Sequence, residues 1–141
     1  MASFDFFSFE GLALSMQEIA EIPENIVAEM TMAGAEVAAE AQKVTVRRLN
    51  LKDTGQLERS IKPHLKQSRS GGFSTHAVVY PAGKRKNGVR NAEVGFIHEY
   101  GAPKRRIPAK QWMQTANEGC ADAVAAAELA IYDRFLESKN L

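Results

Sequence analysis

Residues 91–116, NAEVGFIHEYGAPKRRIPAKQWMQTA, place several structural signals within one short stretch. The apolar and aromatic residues Phe96–Tyr100 are followed by Gly101, which readily adopts the positive φ that the end of a helix requires. The basic segment Pro103–Pro108 comes next, and Trp112–Met113 then open a second helix. Proline is common where a helix starts, so a new helix is expected after the second proline. The stretch therefore predicts two elements joined by a basic loop with anchored ends.

A second stretch, Thr54-Gly55-Gln56-Leu57-Glu58-Arg59-Ser60-Ile61, carries the signals of a short helix. Asp53 or Thr54 can cap a helix that begins at Gly55, and Gln56 stands three residues after Asp53, as in a capping box. This helix is expected to end near Ile61.

The two stretches, in this order, resemble the signature of small neck proteins of long-tailed bacteriophages, the tail-completion or head-tail joining family. Members carry Thr-Gly-x-Leu-x-x-Ser-Ile before their sheet and, later, an aromatic-Gly turn followed by Ile-Pro-Ala-Arg-Pro-Phe and a helix. Here Lys110-Gln111-Trp112 replaces Arg-Pro-Phe, so a role of that arginine does not carry over. The residues that carry the resemblance are Thr54, Gly55, Leu57, Ser60, Ile61, His98, Glu99, Tyr100, Gly101, Pro108, Ala109, Trp112, Met113 and Ala116.

The resemblance implies an α+β fold, in which a small antiparallel β-sheet packs against long N-terminal and C-terminal helices. It implies a minor structural protein of the virion that completes the tail, forms a ring, hexameric in the family, at the head-proximal end of the tail, and mediates head-tail joining. The implied partners are further copies of the chain, tail-tube or tail-terminator proteins, and head-completion or connector proteins. Such a protein is expected in the neck of the virion and, during assembly, in the host cytoplasm.

The remaining sequence predicts further helices. Residues 11–21 are helix-like, and Pro23 separates them from a longer helix expected from Glu24 to about Arg48. Its apolar stripe is predicted at Ile26, Met30, Ala33, Val37, Ala41 and Val44, with Glu29, Glu36, Glu40, Lys43 and Arg47 on another side. The small residues Ala33, Gly34, Ala38 and Ala39 would permit close approach of another element.

A β-hairpin is expected in the middle of the chain. Residues 61–66 form an edge strand because they include Pro63, residues 68–72 form the turn, and residues 73–80 alternate as the second strand. Asn91–Tyr100 fits either a strand or a helix capped by Asn91, and the resemblance favours the helix. A C-terminal helix is predicted within Ala109–Ser138, interrupted near Asn117–Gly119 because glycine is unfavourable there. Its apolar stripe comprises Cys120, Val124, Ala127, Ile131 and Phe135.

Size and composition predict one soluble globular domain spanning residues 1–141. The chain is 45% hydrophobic and 25% charged, a normal balance for a chain that buries a core. Its single cysteine, Cys120, excludes an internal disulfide framework and favours a reducing compartment. Neither a secretory signal nor a membrane span is expected. Residues 1–10 contain Phe4, Phe6, Phe7 and Phe9, an apolar arm that packs either on its own domain or on a neighbouring subunit.

Charge is strongly segregated although the net charge is only +1. Residues 1–42 contain eight acidic side chains and no basic one, whereas residues 43–110 contain sixteen basic and four acidic side chains. Two basic loops, residues 81–90 and 102–108, concentrate the positive charge in Lys84, Arg85, Lys86, Arg90, Lys104, Arg105, Arg106 and the adjoining Lys110. These side chains fit nucleic acid, or the acidic residues Glu29, Glu36 and Glu40 of another subunit, or simply water.

The sequence lacks the residue patterns of an enzyme, a metal site or a cofactor site, and none of the three is expected. His98-Glu99 would need a second histidine at position 102, which is alanine. The alternative to a neck protein is a sequence-nonspecific nucleic-acid-binding module that uses the two basic loops. Contact with the genomic DNA that crosses the neck would use the same loops. A small nuclease or toxin-like enzyme is a third reading, for which the sequence offers no constellation of carboxylates and histidines.

Overall fold

The structure, a computed structural model, describes residues 22–51, 55–68 and 74–139. In chain order the elements are helix α1 (Glu24–Arg48), helix α2 (Gln56–Ser60), strands β1 (Ile61–Ser68) and β2 (Ser74–Pro81), helix α3 (Asn91–Tyr100), a 3-10 turn (Pro103–Arg105) and helix α4 (Trp112–Ser138). The α+β class is confirmed, with a small antiparallel sheet and two long helices. The phenylalanine arm, the helix expected over residues 11–21 and the capping residues Asp53 and Thr54 lie outside the described residues. Residues 69–72 of the predicted hairpin turn and Phe73 of the second predicted strand also lie outside them, whereas Ser68, expected in the turn, is the last residue of β1.

Helix α1 has the predicted bounds, but its closely packed face is not the predicted one. Pro23 precedes it and accepts hydrogen bonds from the backbone N–H groups of Ile26 and Val27, at 3.0 and 3.1 Å. Val44 in the predicted stripe is 47% exposed, and the other members of that stripe are only half-buried. The buried side chains on α1 are mostly small or polar: Ala35, Ala39, Gln42, Thr45 and Val46. The face lined by small residues lets neighbouring elements approach closely, so it is buried more deeply than the face with larger side chains.

Helix α4 packs antiparallel along α1, as the contacts at two levels show. A Cβ atom added to Gly34 would lie 2.6 Å from Glu128 Oε1 and 3.0 Å from Val124 Cγ1. Further along, Gln42 Nε2 donates a hydrogen bond to Asn117 Oδ1 at 3.0 Å. The small residues of α1 therefore do permit the close approach that the sequence predicts.

The predicted interruption of the C-terminal helix at Asn117–Gly119 is wrong, because α4 runs without a break from Trp112 to Ser138. Gly119 is exposed, and contacts with α1 on the packed side hold the helix together across it. The predicted stripe is confirmed in part: Cys120 and Val124 are buried, and Ala127, Ile131 and Phe135 are half-buried.

The two strands pair antiparallel, with Ile61 opposite Pro81 and Lys66 opposite His76. Pro63 is tolerated because each strand of a two-stranded sheet has an unpaired edge. Ile61 is fully buried at the start of β1, and together with Ala39, Val46, Leu57 and Trp112 it forms the hydrophobic core. The sheet thus packs on the C-terminal half of α1, and the first residue of α4 inserts into the same core.

Helix α2 is confirmed and contributes Leu57, which is 1% exposed, to this core. Gly55 precedes it with a φ of 83°, a conformation that glycine adopts without strain. Ser60 Oγ donates to the Leu57 carbonyl at 2.7 Å. None of the helices in the described part of the chain combines the length and apolar character needed to cross a bilayer.

Candidate interaction surface

Helix α3 is the central support of both basic loops. It buries Asn91, Gly95 and Glu99 along one side, at positions four residues apart. A Cβ atom on Gly95 would lie 3.2 Å from both Pro81 Cγ and Trp112 Cζ2. Glycine at this position therefore lets α3 pack directly against the core.

The sequence predicts Asn91 as the cap of α3, but Asn91 is the first helical residue and does not cap the helix. Its buried side chain instead forms hydrogen bonds with the first basic loop. Asn91 Nδ2 donates to the Ala82 carbonyl at 2.9 Å, and Asn91 Oδ1 accepts from Arg85 Nε at 3.1 Å. The backbone N–H of Asn91 donates to the Gly83 carbonyl at 3.0 Å. These three bonds fix the first basic loop to the start of α3.

The first basic loop, residues 81–90, closes on itself as a small hairpin. Lys84 and Arg90 form an antiparallel bridge, and the backbone N–H of Arg85 donates to the Val89 carbonyl at 2.8 Å. Gly88, with a φ of 86°, allows the tight turn at the tip. Lys84, Lys86 and Arg90 are exposed, and Arg85 is half-buried.

The second basic loop, residues 102–108, is a second small hairpin at the opposite end of α3. Backbone hydrogen bonds of 2.9 and 3.1 Å join Ala102 and Ile107 in both directions, and residues 103–105 form the 3-10 turn between them. Gly101 has a φ of 79°, as predicted, and a Cβ atom there would lie 2.8 Å from the backbone nitrogen of Ala109. Lys104, Arg105, Arg106 and Lys110 are all exposed.

Glu99 connects α3 to α4 and has a structural role. Its buried carboxylate accepts hydrogen bonds from the backbone N–H groups of Met113 and Gln114, at 2.6 and 3.2 Å. Because these N–H groups lie in the first turn of α4, Glu99 caps that helix from a neighbouring helix. Glu99 belongs to the stretch that resembles the family motif, but its position in the sequence does not predict this contact.

Helix α4 begins at Trp112, where the sequence predicts that a helix opens, within the segment Ala109–Ser138. The N–H groups of Lys110 and Gln111 donate to the carbonyls of His98 and Glu99, at 2.8 and 3.2 Å, and are thereby held outside the helix. Trp112, fully buried, begins α4, and its indole Nε1 donates to the Gly95 carbonyl at 2.9 Å. Ala116 is buried one turn later, whereas Pro108 and Ala109 are exposed.

The outward side of α3 carries two aromatic side chains that sequence reasoning did not single out as a surface. Phe96 is 62% exposed and Tyr100 is 66% exposed, and their ring centroids lie 4.7 Å apart. We call these two residues the α3 face. Their spacing of four residues, out of phase with the buried residues at 91, 95 and 99, is the signal that would have revealed them.

The acidic residues proposed to meet these loops lie on another element. Glu29, Glu36 and Glu40 are exposed on α1, and Glu40 Oε1 lies 3.4 Å from Arg47 Nη2. Arg47 Nε also lies 2.7 Å from Glu58 Oε1. The structure therefore places the basic residues at the two ends of α3 and the acidic residues on a different helix, α1.

Within residues 22–51, 55–68 and 74–139, no three His, Cys, Asp or Glu side chains come together to hold a metal ion. Burial raises the pKa of the Cys120 thiol, which keeps it protonated. His64 stacks on Tyr80 with ring centroids 4.6 Å apart. A shallow groove of about 250 Å³ has mainly apolar walls, Leu49, Leu51, Ile107 and Pro108, with Asn50, His98 and Lys110 beside them.

No protein-family model, curated protein sequence or solved structure gives a significant match to this chain.

Proposed function

We propose that this chain is a structural protein of a bacteriophage virion, a tail-completion or neck component that forms a ring at the head-proximal end of the tail and joins tail to head. The observation that carries the proposal is the display of two basic hairpins at the two ends of one aromatic helix, α3. Both hairpins are fixed by hydrogen bonds before any partner arrives. Such pre-organisation lowers the entropy lost on binding and suits a docking surface.

Several residues that carry the family resemblance are buried, and their contacts support the proposal. Leu57, Ile61 and Trp112 meet in one core, and Glu99 and Trp112 link α3 to α4. The motif residues therefore stabilise α3 and its contact with α4, and the basic loops at the ends of α3 remain exposed. A motif of this kind fits a protein that works through its surfaces.

A ring requires two different patches of one subunit to meet on its neighbours. The acidic side of α1, with Glu29 and Glu36, and one basic loop are patches of opposite charge on different elements. In the proposed assembly they face each other between neighbouring subunits. The other basic loop contacts a tail-tube, tail-terminator, head-completion or connector protein.

The proposal is tested in the phage or prophage that encodes the chain. With the gene deleted, electron microscopy should show complete heads and complete tails that do not join, and adding the purified protein should restore joined particles. Joined particles in the absence of the protein would refute the proposal. A strict monomer at low and high salt that does not attach to tail ends would refute it equally.

The second candidate function is sequence-nonspecific binding of nucleic acid through the same loops, favoured by their exposed Lys and Arg side chains. A protein that neutralises several phosphates loses affinity steeply as salt rises, with a logarithmic slope of about −0.9 per phosphate contact. Measuring double-stranded DNA affinity across salt concentrations separates the two functions. A steep slope together with normal head-tail joining in the deletion strain would favour the nucleic-acid reading.

A further inference from the structure

The α3 face has no partner among the described residues, although the opposite side of the same helix is buried. Phe96 and Tyr100 expose 62% and 66% of their surface while contacting each other. Tyrosine and other aromatic side chains are the residues that contribute most to protein interfaces, and grouped exposure of this kind typically marks one. The face therefore calls for an apolar or aromatic occupant.

The surroundings of the face add a second requirement, because both ends of α3 are basic. Arg90 precedes the first helical residue, and its bridge to Lys84 brings that lysine to the same end. Lys104 and its neighbours lie at the other end, beyond Gly101. Glu93 is the acidic residue on the exposed side of α3. Charge complementarity selects an occupant that is acidic as well as aromatic.

One segment of this chain has that composition. Residues 1–10 contain Phe4, Phe6, Phe7 and Phe9 together with Asp5 and Glu10, and no lysine or arginine occurs before position 43. These residues lie outside the described part of the chain. We propose that the α3 face of one subunit binds this segment, the N-terminal arm, from a neighbouring copy. The inference rests on the proposed function, because it requires that copies of the chain assemble.

Geometry favours a neighbouring copy over the chain's own arm. Val46, near the end of α1, shares the core with Trp112, which contacts Gly95 in α3, so α3 lies at the C-terminal end of α1. The arm joins the opposite end of this helix, which is ~37 Å long at about 1.5 Å per residue. If residues 11–21 are helical, as their sequence predicts, they advance only ~16 Å, and about six of the arm's ten residues are needed to cover the remaining ~21 Å in extended form. Only the first few residues of the arm can then reach α3 of the same chain, whereas a neighbouring copy can offer the whole arm.

The test uses the full-length chain and two variants in analytical ultracentrifugation. The face variant replaces Phe96→Ser and Tyr100→Ser, and the arm variant replaces Phe4→Ser, Phe6→Ser, Phe7→Ser and Phe9→Ser. We expect each variant to raise the dissociation constant between copies by at least about 30-fold, because each removes the aromatic groups of one side of the contact. Leu129→Ser, at a position 56% exposed on α4, is the matched control and should leave assembly unchanged.

Mixing the two variants distinguishes the possible occupants. The intact arm of the face variant should bind the intact α3 face of the arm variant, so the mixture should form a two-copy species that neither variant forms alone. A mixture that stays monomeric would overturn the inference, because the arm of one copy then does not bind the α3 face of another. The inference would also be overturned if the face variant and the arm variant each sediment as an assembly of the same mass as the parent protein.

The proposed function fails in a different way. A parent protein that is monomeric yet joins heads to tails would overturn this inference and leave the joining function in place. Another virion protein would then be the partner that covers the α3 face. A parent that assembles but joins nothing would refute the joining function, and the behaviour of the variants would still decide the contact. Circular dichroism of both variants should match that of the parent, because the two α3 side chains are exposed.

Discussion

The carboxylate of Glu99 is the residue on which the geometry of the α3–α4 connection depends. It accepts two backbone hydrogen bonds from the first turn of α4 from a buried position. A charged acceptor at this end of a helix also interacts favourably with the helix dipole. No local pattern could predict this contact, because the donor residues lie 14 and 15 positions along the chain.

Replacing Glu99→Ala should therefore lower the free energy of unfolding by about 2 kcal/mol, since the N–H groups of Met113 and Gln114 lose their acceptor. Urea unfolding followed by circular dichroism measures the change. The matched control is Glu93→Ala, an exposed carboxylate on the same helix, which should change stability by no more than about 0.5 kcal/mol. Equal effects of the two substitutions would contradict the capping role.

Glu128 gives a second expectation at this scale. Burial against α1 raises the pKa of its carboxyl group above the ordinary value. Since the folded pKa is raised, protonation favours the folded state, and the charged form is penalised once the pH rises through the folded pKa. Glu128→Gln should thus stabilise the protein at pH 7 relative to the parent.

The advantage of Glu128→Gln should shrink as the pH falls below the ordinary carboxyl pKa of about 4.3, where the parent is protonated in both states. Thermal unfolding at about pH 3.5 and 7 measures this difference. Asp122→Asn, an exposed position on the same helix, serves as the control and should show no comparable dependence on pH. An equal gain from Glu128→Gln at both pH values would contradict the expectation.

At the scale of the elements, the sequence predicts helix and strand positions well and packing faces poorly. Pro23, Gly101 and the alternating residues of the hairpin are local signals, and they place the elements within a few residues. The predicted buried face of α1 was wrong because the residues buried there include Ala35, Ala39 and Gln42. A hydrophobicity pattern gives small and polar residues of this kind little weight. The start of α4 at Trp112 agrees with the sequence, and carbonyls of α3 hold Lys110 and Gln111 outside the helix.

Two glycines on the long helix pair test this view of the packing. Gly119→Ala should raise the free energy of unfolding by about 0.5–1 kcal/mol, because alanine is the better helix former and nothing lies within 4 Å of the added Cβ. Gly34→Ala should instead lower it by about 1 kcal/mol, because Val124 and Glu128 must move away from the new methyl group. Chemical denaturation of both variants gives the comparison, and a gain at Gly34 equal to that at Gly119 would mean that α1 and α4 are less closely packed.

At the scale of the whole molecule, the candidate surface was only half visible in the sequence. The two basic loops are evident from composition, since their Lys and Arg residues are consecutive. Their position on either side of residues 91–100 is visible too, but the buried contacts from Asn91 to the first loop and from Glu99 to α4 are revealed by no spacing rule. The exposure of Phe96 and Tyr100 likewise depends on which side of α3 meets the core.

Reversing the charge at the tip of the second basic loop tests whether this loop binds a partner. Lys104→Glu with Arg105→Glu should leave the unfolding free energy nearly unchanged, because both side chains are exposed. Under the proposed function, the same variant should reduce attachment to heads or tails by at least about tenfold at low salt, a defect that grows smaller as salt screens the charges. Counting joined particles by electron microscopy measures the effect. Glu137→Lys with Asp133→Lys, exposed on α4, changes charge elsewhere and should leave joining intact.

The burial of Trp112 gives this molecule an internal optical probe. It is the chain's only tryptophan, it is fully buried, and its indole N–H is bonded to the Gly95 carbonyl inside the helix that supports both loops. Its fluorescence spectrum therefore reports on the contact between α3 and α4 without any label. Docking that loosens this contact will shift the emission toward longer wavelengths, and docking that leaves it intact will not.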